Sequence, residues 1–134
     1  MKIITRMISD EVYEAENENG NKVRIDMQPK EHKAGQSPVE LLLSALAGCG
    51  AVDIVSMLKK RKKTINALLI EAMGTRKETT PRYFTHIHCN YIITSPDATE
   101  EESLKVAALA LEKYCTVAAS LKSEVTFSVQ INRS

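Results

Sequence analysis

The stretch SPVELLLSALAGCGAVDIVSML, Ser37 to Leu58, constrains this chain more than any other feature. Ser37 suits a helix N-cap, Pro38 the first helical position and Glu40 the third, so a helix starts here. The run Lys59-Lys60-Arg61-Lys62-Lys63 complements the negative end of its dipole and predicts a stop near Lys60. From Leu41 to Val55 the helix is apolar on nearly every side, and such a helix needs cover all round. A single domain of 134 residues has little to cover it with on every face. A second subunit is therefore expected to supply part of the cover. Ser44, Asp53 and Ser56 interrupt the apolar stretch, which is short for a membrane span.

The remaining elements follow from alternation and turn residues. Residues 2–8 and 11–16 read as strands, and Asn19-Gly20-Asn21 is a turn before a third strand from Lys22 to Met27. Gln28 to Gln36 is a polar loop holding Pro29 and Gly35. Two strands are predicted at Asn66–Thr75 and Arg82–Thr94. In the second, Tyr83, Thr85, Ile87, Cys89, Tyr91 and Ile93 share a face. Thr99 and Glu102 form a capping box that opens a helix to about Tyr114, burying Leu104, Ala107, Ala108 and Leu111. A short helix from Cys115 to Leu121 and a strand from Glu124 to Asn132 close the chain. The order predicts an α+β fold, one domain over residues 1–134, with long helices packed on antiparallel sheets.

Composition excludes several function classes. The net charge of +1 offers no field for nucleic acid or an anionic membrane. Trp is absent and aromatics are 4%, which argues against a base-stacking platform. The N-terminal residues show no signal-peptide pattern. Three cysteines form no disulfide-scaffold spacing, which points to a reducing, cytoplasmic setting. There is no phosphate-binding glycine loop, no zinc signature and no carboxylate pair at glycosidase spacing.

Cys49 lies mid-helix with Gly48 and Gly50 on either side. Free Cys is often only a small apolar filler. Two flanking glycines cost helix stability, however, so close approach of a second helix or a substrate is implied. Asp53, one turn on, disfavours thiolate, and activation would need a cation from elsewhere. Cys115 stands at a helix break. It is either buried filler or, if a helix starts there, a sulfur facing free backbone N–H groups that favour thiolate. Sixty-six residues separate the two thiols, and spacing alone does not bring them together. Cys89 reads as core. His86 and His88 read as part of a solvated sheet face, since no third metal ligand is evident. The lysine run reads as a helix C-terminal cap region.

Taken together, the Ser37–Leu58 stretch and EKYCTVAASL, Glu112 to Leu121, resemble the OsmC/Ohr superfamily of thiol-dependent hydroperoxide-reducing proteins. RYFTHIHCNYIIT, Arg82 to Thr94, and EKYC look most like its YhfA-like branch. The resemblance spans the chain in the same order of elements. It implies an intertwined homodimer around two long central helices, with sites at the subunit interface. Cys49 matches the peroxidatic cysteine and Cys115 the resolving one, acting on a small hydrophobic hydroperoxide in oxidative stress defence. A dithiol reductant would regenerate them, and no metal or organic cofactor is implied. The family's thiolate-holding glutamate lies ten residues before the first cysteine, where this chain has Val39. Glu40 is the adjacent candidate, displaced by about 100° of helix rotation. No arginine stands in the loop before the helix. Lys30 and Lys33 are its cations, with Arg6 and Arg24 as other candidates. These departures keep an alternative open: an OsmC-type binding or redox-sensing protein without peroxidase activity.

Overall fold

Asn17 shows how directly local sequence makes local structure here. Its side-chain oxygen accepts from the N–H groups of Asn19 (3.1 Å) and Asn21 (2.9 Å), and Gly20 takes a φ of 85°. That closes the hairpin between β2 (Val12–Glu16) and β3 (Lys22–Asp26). β1 (Ile4–Ser9) pairs with β2, so the three strands form an antiparallel meander. The computed structural model describes every residue, Met1–Ser134. Two compact units divide it, Met1–Leu42 and Leu43–Ser134.

In the first unit Asp26 organises the loop that follows β3. Its buried carboxylate accepts from the N–H groups of Gln28 and Ala34, each at 2.9 Å, and from Arg24 Nε at 3.2 Å. Those backbone donors hold its pKa below the ordinary carboxylate value. The loop contains one 3₁₀ turn, Lys30–His32.

Helix α1 runs Pro38–Lys60, the span expected from its caps. It ends in a Schellman motif: Lys63 N–H donates to Leu58 O and Lys62 N–H to Lys59 O, with Lys62 at φ 64°. Leu46, Gly50, Ile54 and Leu58 form its buried stripe, spaced four residues apart. By length and composition the helix could cross a membrane, and only 22% of its apolar window is buried. Val52 is 70% exposed. The chain alone thus covers one stripe of a helix that is apolar on most sides.

The second unit adds β4 (Ala67–Arg76), β5 (Phe84–Thr94), α2 (Glu100–Leu109), a π-helical turn (Ala110–Tyr114), α3 (Thr116–Ala119) and β6 (Glu124–Asn132). The sheet order is β4-β5-β6. β4 runs antiparallel to β5, with Ala72 opposite Cys89. β6 runs parallel to β5, with Phe127 opposite Cys89, which corrects the expectation of purely antiparallel sheets. The reason is the connection. α2 and α3 return the chain to the starting end of β5, and a crossover of that kind delivers a parallel strand.

Ile87, Cys89, Tyr91 and Ile93 of β5 are buried, as alternation requires. His86 and His88 are half-buried and not simply solvated. Both rings bond Thr126 Oγ1, at 2.9 and 2.7 Å, and His88 Nε2 also bonds Ser128 Oγ at 2.9 Å. The parallel β6 supplies those hydroxyls. The Thr99–Glu102 capping box is present. The buried face of α2 is Ser103, Val106 and Ala107, while Leu104 is 39% exposed. Ala107 and Leu111 are buried as expected, Ala108 is half-buried, and Ser103 and Val106 are buried where Leu104 was expected.

Candidate functional site

At Gly50 α1 lies against Tyr91 of β5. A Cβ at this position would lie 2.8 Å from the Tyr91 hydroxyl, so only glycine leaves that hydroxyl its place. A Cβ on Gly48 would meet nothing within 4 Å. The two glycines around Cys49 therefore differ: one admits a neighbour, the other faces open space. Cys49 between them is half-buried.

Cys115 is held by the break between two helices. Its N–H donates to Ala110 O at 2.7 Å, closing the π-helical turn. Turns of this type are inserted at functional sites more often than elsewhere. Cys115 then N-caps α3, its Sγ accepting from Ala118 N at 3.3 Å. The side chain is buried, and the Cys49 side chain is its neighbour. The two thiols that spacing could not unite are brought together, and neither is bridged.

Of the two readings open for Cys115, burial outweighs the helix start. The N-cap geometry that favours a Cys115 thiolate is present, yet its pKa is pushed up to about 11. Burial is the largest cause and the Cys49 side chain the next, and together they outweigh the Ala118 N–H. Cys115 is thus a thiol at neutral pH. Cys89 is also raised by burial.

Tyr91 reaches from β5 to α1 at Gly50. Its side chain is fully buried and its hydroxyl has no hydrogen-bond partner. Burial raises its pKa, followed by interaction with Cys89, Cys115 and Cys49. The Cys89 sulfur lies against the phenol without hydrogen-bond geometry. Strand alternation puts Tyr91 and Cys89 on the buried face, where packing alone accounts for them. The available signal was Gly50, which announced a close approach without naming the neighbour. Leu46, three residues before Cys49 on the same helix, is sealed in the core at 0% exposure. An open cleft of about 250 Å³ runs along Asp53, Ser56, Met57 and Lys60 of α1 to Tyr114, and neither thiol lines it.

Glu40 and the candidate cations hold local positions in the first unit. Glu40 accepts from Ser37 N–H at 2.9 Å while its own N–H donates to Ser37 Oγ at 3.3 Å, a capping box. Those Ser37 bonds, with Lys33 at 3.7 Å, hold its pKa below the usual value. Arg6 pairs with Glu16 and Arg24 with Asp26, each at 3.1 Å.

An α+β chain with two adjacent, unbridged thiols, one in a glycine-flanked helix position and one at a helix break, is the class of protein that emerges. The chain belongs to the OsmC-like protein family, whose model matches residues 30–130. Protein YhfA of Escherichia coli strain K12 is 36% identical over 92 residues, 69% of each chain. A hydroperoxide reductase of Mycoplasma pneumoniae is 28% identical over 113 residues, 82% of this chain and 79% of that one. The crystal structure of an OsmC-like protein from Mycoplasma pneumoniae superposes with a TM-score of 0.79 at 26% identity, covering 98% and 95% of the two chains.

Proposed function

We propose that this protein reduces organic hydroperoxides through Cys49 and Cys115. The observation that carries the reading is their adjacency, with the more accessible thiol on the helix and the buried one at the break. The similarity to a Mycoplasma pneumoniae protein named hydroperoxide reductase supports it. The Cys49 thiolate attacks the distal oxygen; an S–O bond forms, the O–O bond breaks, and the alkoxide takes a proton to leave as an alcohol. Cys115 then attacks the sulfenic sulfur, water leaves, and a disulfide forms. An external dithiol reduces that disulfide and is itself oxidised. The partly covered α1 supports a homodimer in which a second copy packs on the exposed side of the helix.

The test is consumption of cumene hydroperoxide in the presence of dithiothreitol. Turnover that disappears in Cys49→Ser is the expected result. Absence of turnover above that control would overturn the reading.

A second reading, a redox-sensing or ligand-binding protein without turnover, is favoured by one observation. Arg6 and Arg24 are already paired with carboxylates. It predicts that Cys49 is alkylated no faster than free glutathione at pH 7. Faster alkylation favours the enzyme.

A further inference from the structure

The Tyr91 hydroxyl is the one feature of this site that packing does not explain. A buried hydroxyl without a partner is destabilising, and Phe would fill the same volume without that cost. The chain nevertheless keeps the oxygen, and keeps a glycine at position 50 to make room for it. Gly50, the residue after Cys49, lies against it, and the groups that act on it electrostatically are Cys89 on its own strand, Cys115 at the start of α3 and Cys49 on α1. In the thiol state each is a weak acceptor. A thiolate, or an oxygen carried on sulfur, is a strong one.

We propose that Tyr91 is a catalytic residue of this site: its phenol donates a hydrogen bond to the Cys49 sulfur when that sulfur is charged, and to the sulfenate oxygen once Cys49 has been oxidised. The inference rests on the proposed role of Cys49. It gives the reacting sulfur a hydrogen-bond donor. A phenol shielded from water stays protonated through the working pH range, so it stabilises the anion by donating a hydrogen bond without giving up its proton. No bond to Tyr91 forms or breaks in the reaction, and its electrons take no part.

The test is Tyr91→Phe, read by the rate of Cys49 alkylation with iodoacetamide at pH 7 and by the lifetime of the dimedone-reactive sulfenic acid. Loss of one charge-assisted hydrogen bond should slow alkylation about tenfold and shorten the sulfenate lifetime by a similar factor. The thermal midpoint should rise, because an unsatisfied buried hydroxyl is gone. A residue that only packs would not slow alkylation in a more stable protein. Gly50→Ala is the second variant, since it displaces the hydroxyl without deleting it; the same slowing is expected, with a lower midpoint. Alkylation unchanged in both variants would overturn the proposal. Alkylation needs no peroxide chemistry. If the wild type fails to reduce hydroperoxides while Tyr91→Phe still slows alkylation, the peroxidase reading falls and the donor role stands.

Discussion

At the scale of single residues, the glycines flanking Cys49 give the sharpest contrast. Gly50→Ala drives a methyl against the Tyr91 hydroxyl at 2.8 Å and is expected to cost about 1–3 kcal/mol in denaturant unfolding. Adding Tyr91→Phe should recover part of that loss, as expected for two groups in contact. Gly48→Ala meets nothing within the chain and should stabilise the helix by up to about 1 kcal/mol, unless a partner packs there. Cys115 gives a pH dependence. Its pKa rises from an ordinary 9.0 to about 11 on folding, so the native state holds its proton longer than the unfolded chain. The corresponding stability is complete below about pH 9 and is lost as pH climbs towards 11. The thermal midpoint should therefore fall across that window, and fall less steeply in Cys115→Ser. Both thiols were legible in the sequence through their motifs. Tyr91 was not, because a buried aromatic on an alternating strand looks the same whether its hydroxyl is used or merely enclosed.

At the scale of elements, the helix ends carry the testable content. Lys62 occupies the left-handed position of the Schellman motif that closes α1. Lys62→Gly should stabilise the protein by up to about 1 kcal/mol, measured by urea unfolding, because glycine enters that conformation without strain. Glu40 separates two roles. Glu40→Gln keeps a capping side chain and removes the charge, whereas Glu40→Ala removes both. A purely structural Glu40 leaves Glu40→Gln with wild-type peroxide turnover and Glu40→Ala about 1 kcal/mol less stable. A Glu40 that acts on the thiolate loses turnover in both. The caps of α1 and α2 and the limits of most strands were legible, since each depends on nearby residues. The direction of β6 was not, because parallel pairing is decided by the helical return of the chain and leaves no mark on the strand itself. On α2 the burial of Ala107 and Leu111 was legible, but that of Val106 in place of Leu104 was not, because both are apolar and only the tertiary context chooses between them.

At the scale of the whole molecule, α1 remains the governing feature. One stripe of it is buried and Val52, near its middle, is 70% exposed. If a second copy covers that side, light scattering should give twice the monomer mass, and Val52→Glu should shift the population to monomer and lower the thermal midpoint. A wild-type monomer would contradict the homodimer. The apolar periodicity announced the need for cover, but the partner's identity cannot be read from one chain's pattern. The most direct measurement concerns the pairing of Cys49 with Cys115. Protein treated with one equivalent of cumene hydroperoxide, trapped with alkylating agent and mapped by mass spectrometry should contain an intramolecular Cys49–Cys115 disulfide, removed by dithiothreitol. A Cys49–Cys89 disulfide, or Cys49 carried to sulfinic acid with no disulfide at any dose, would contradict it.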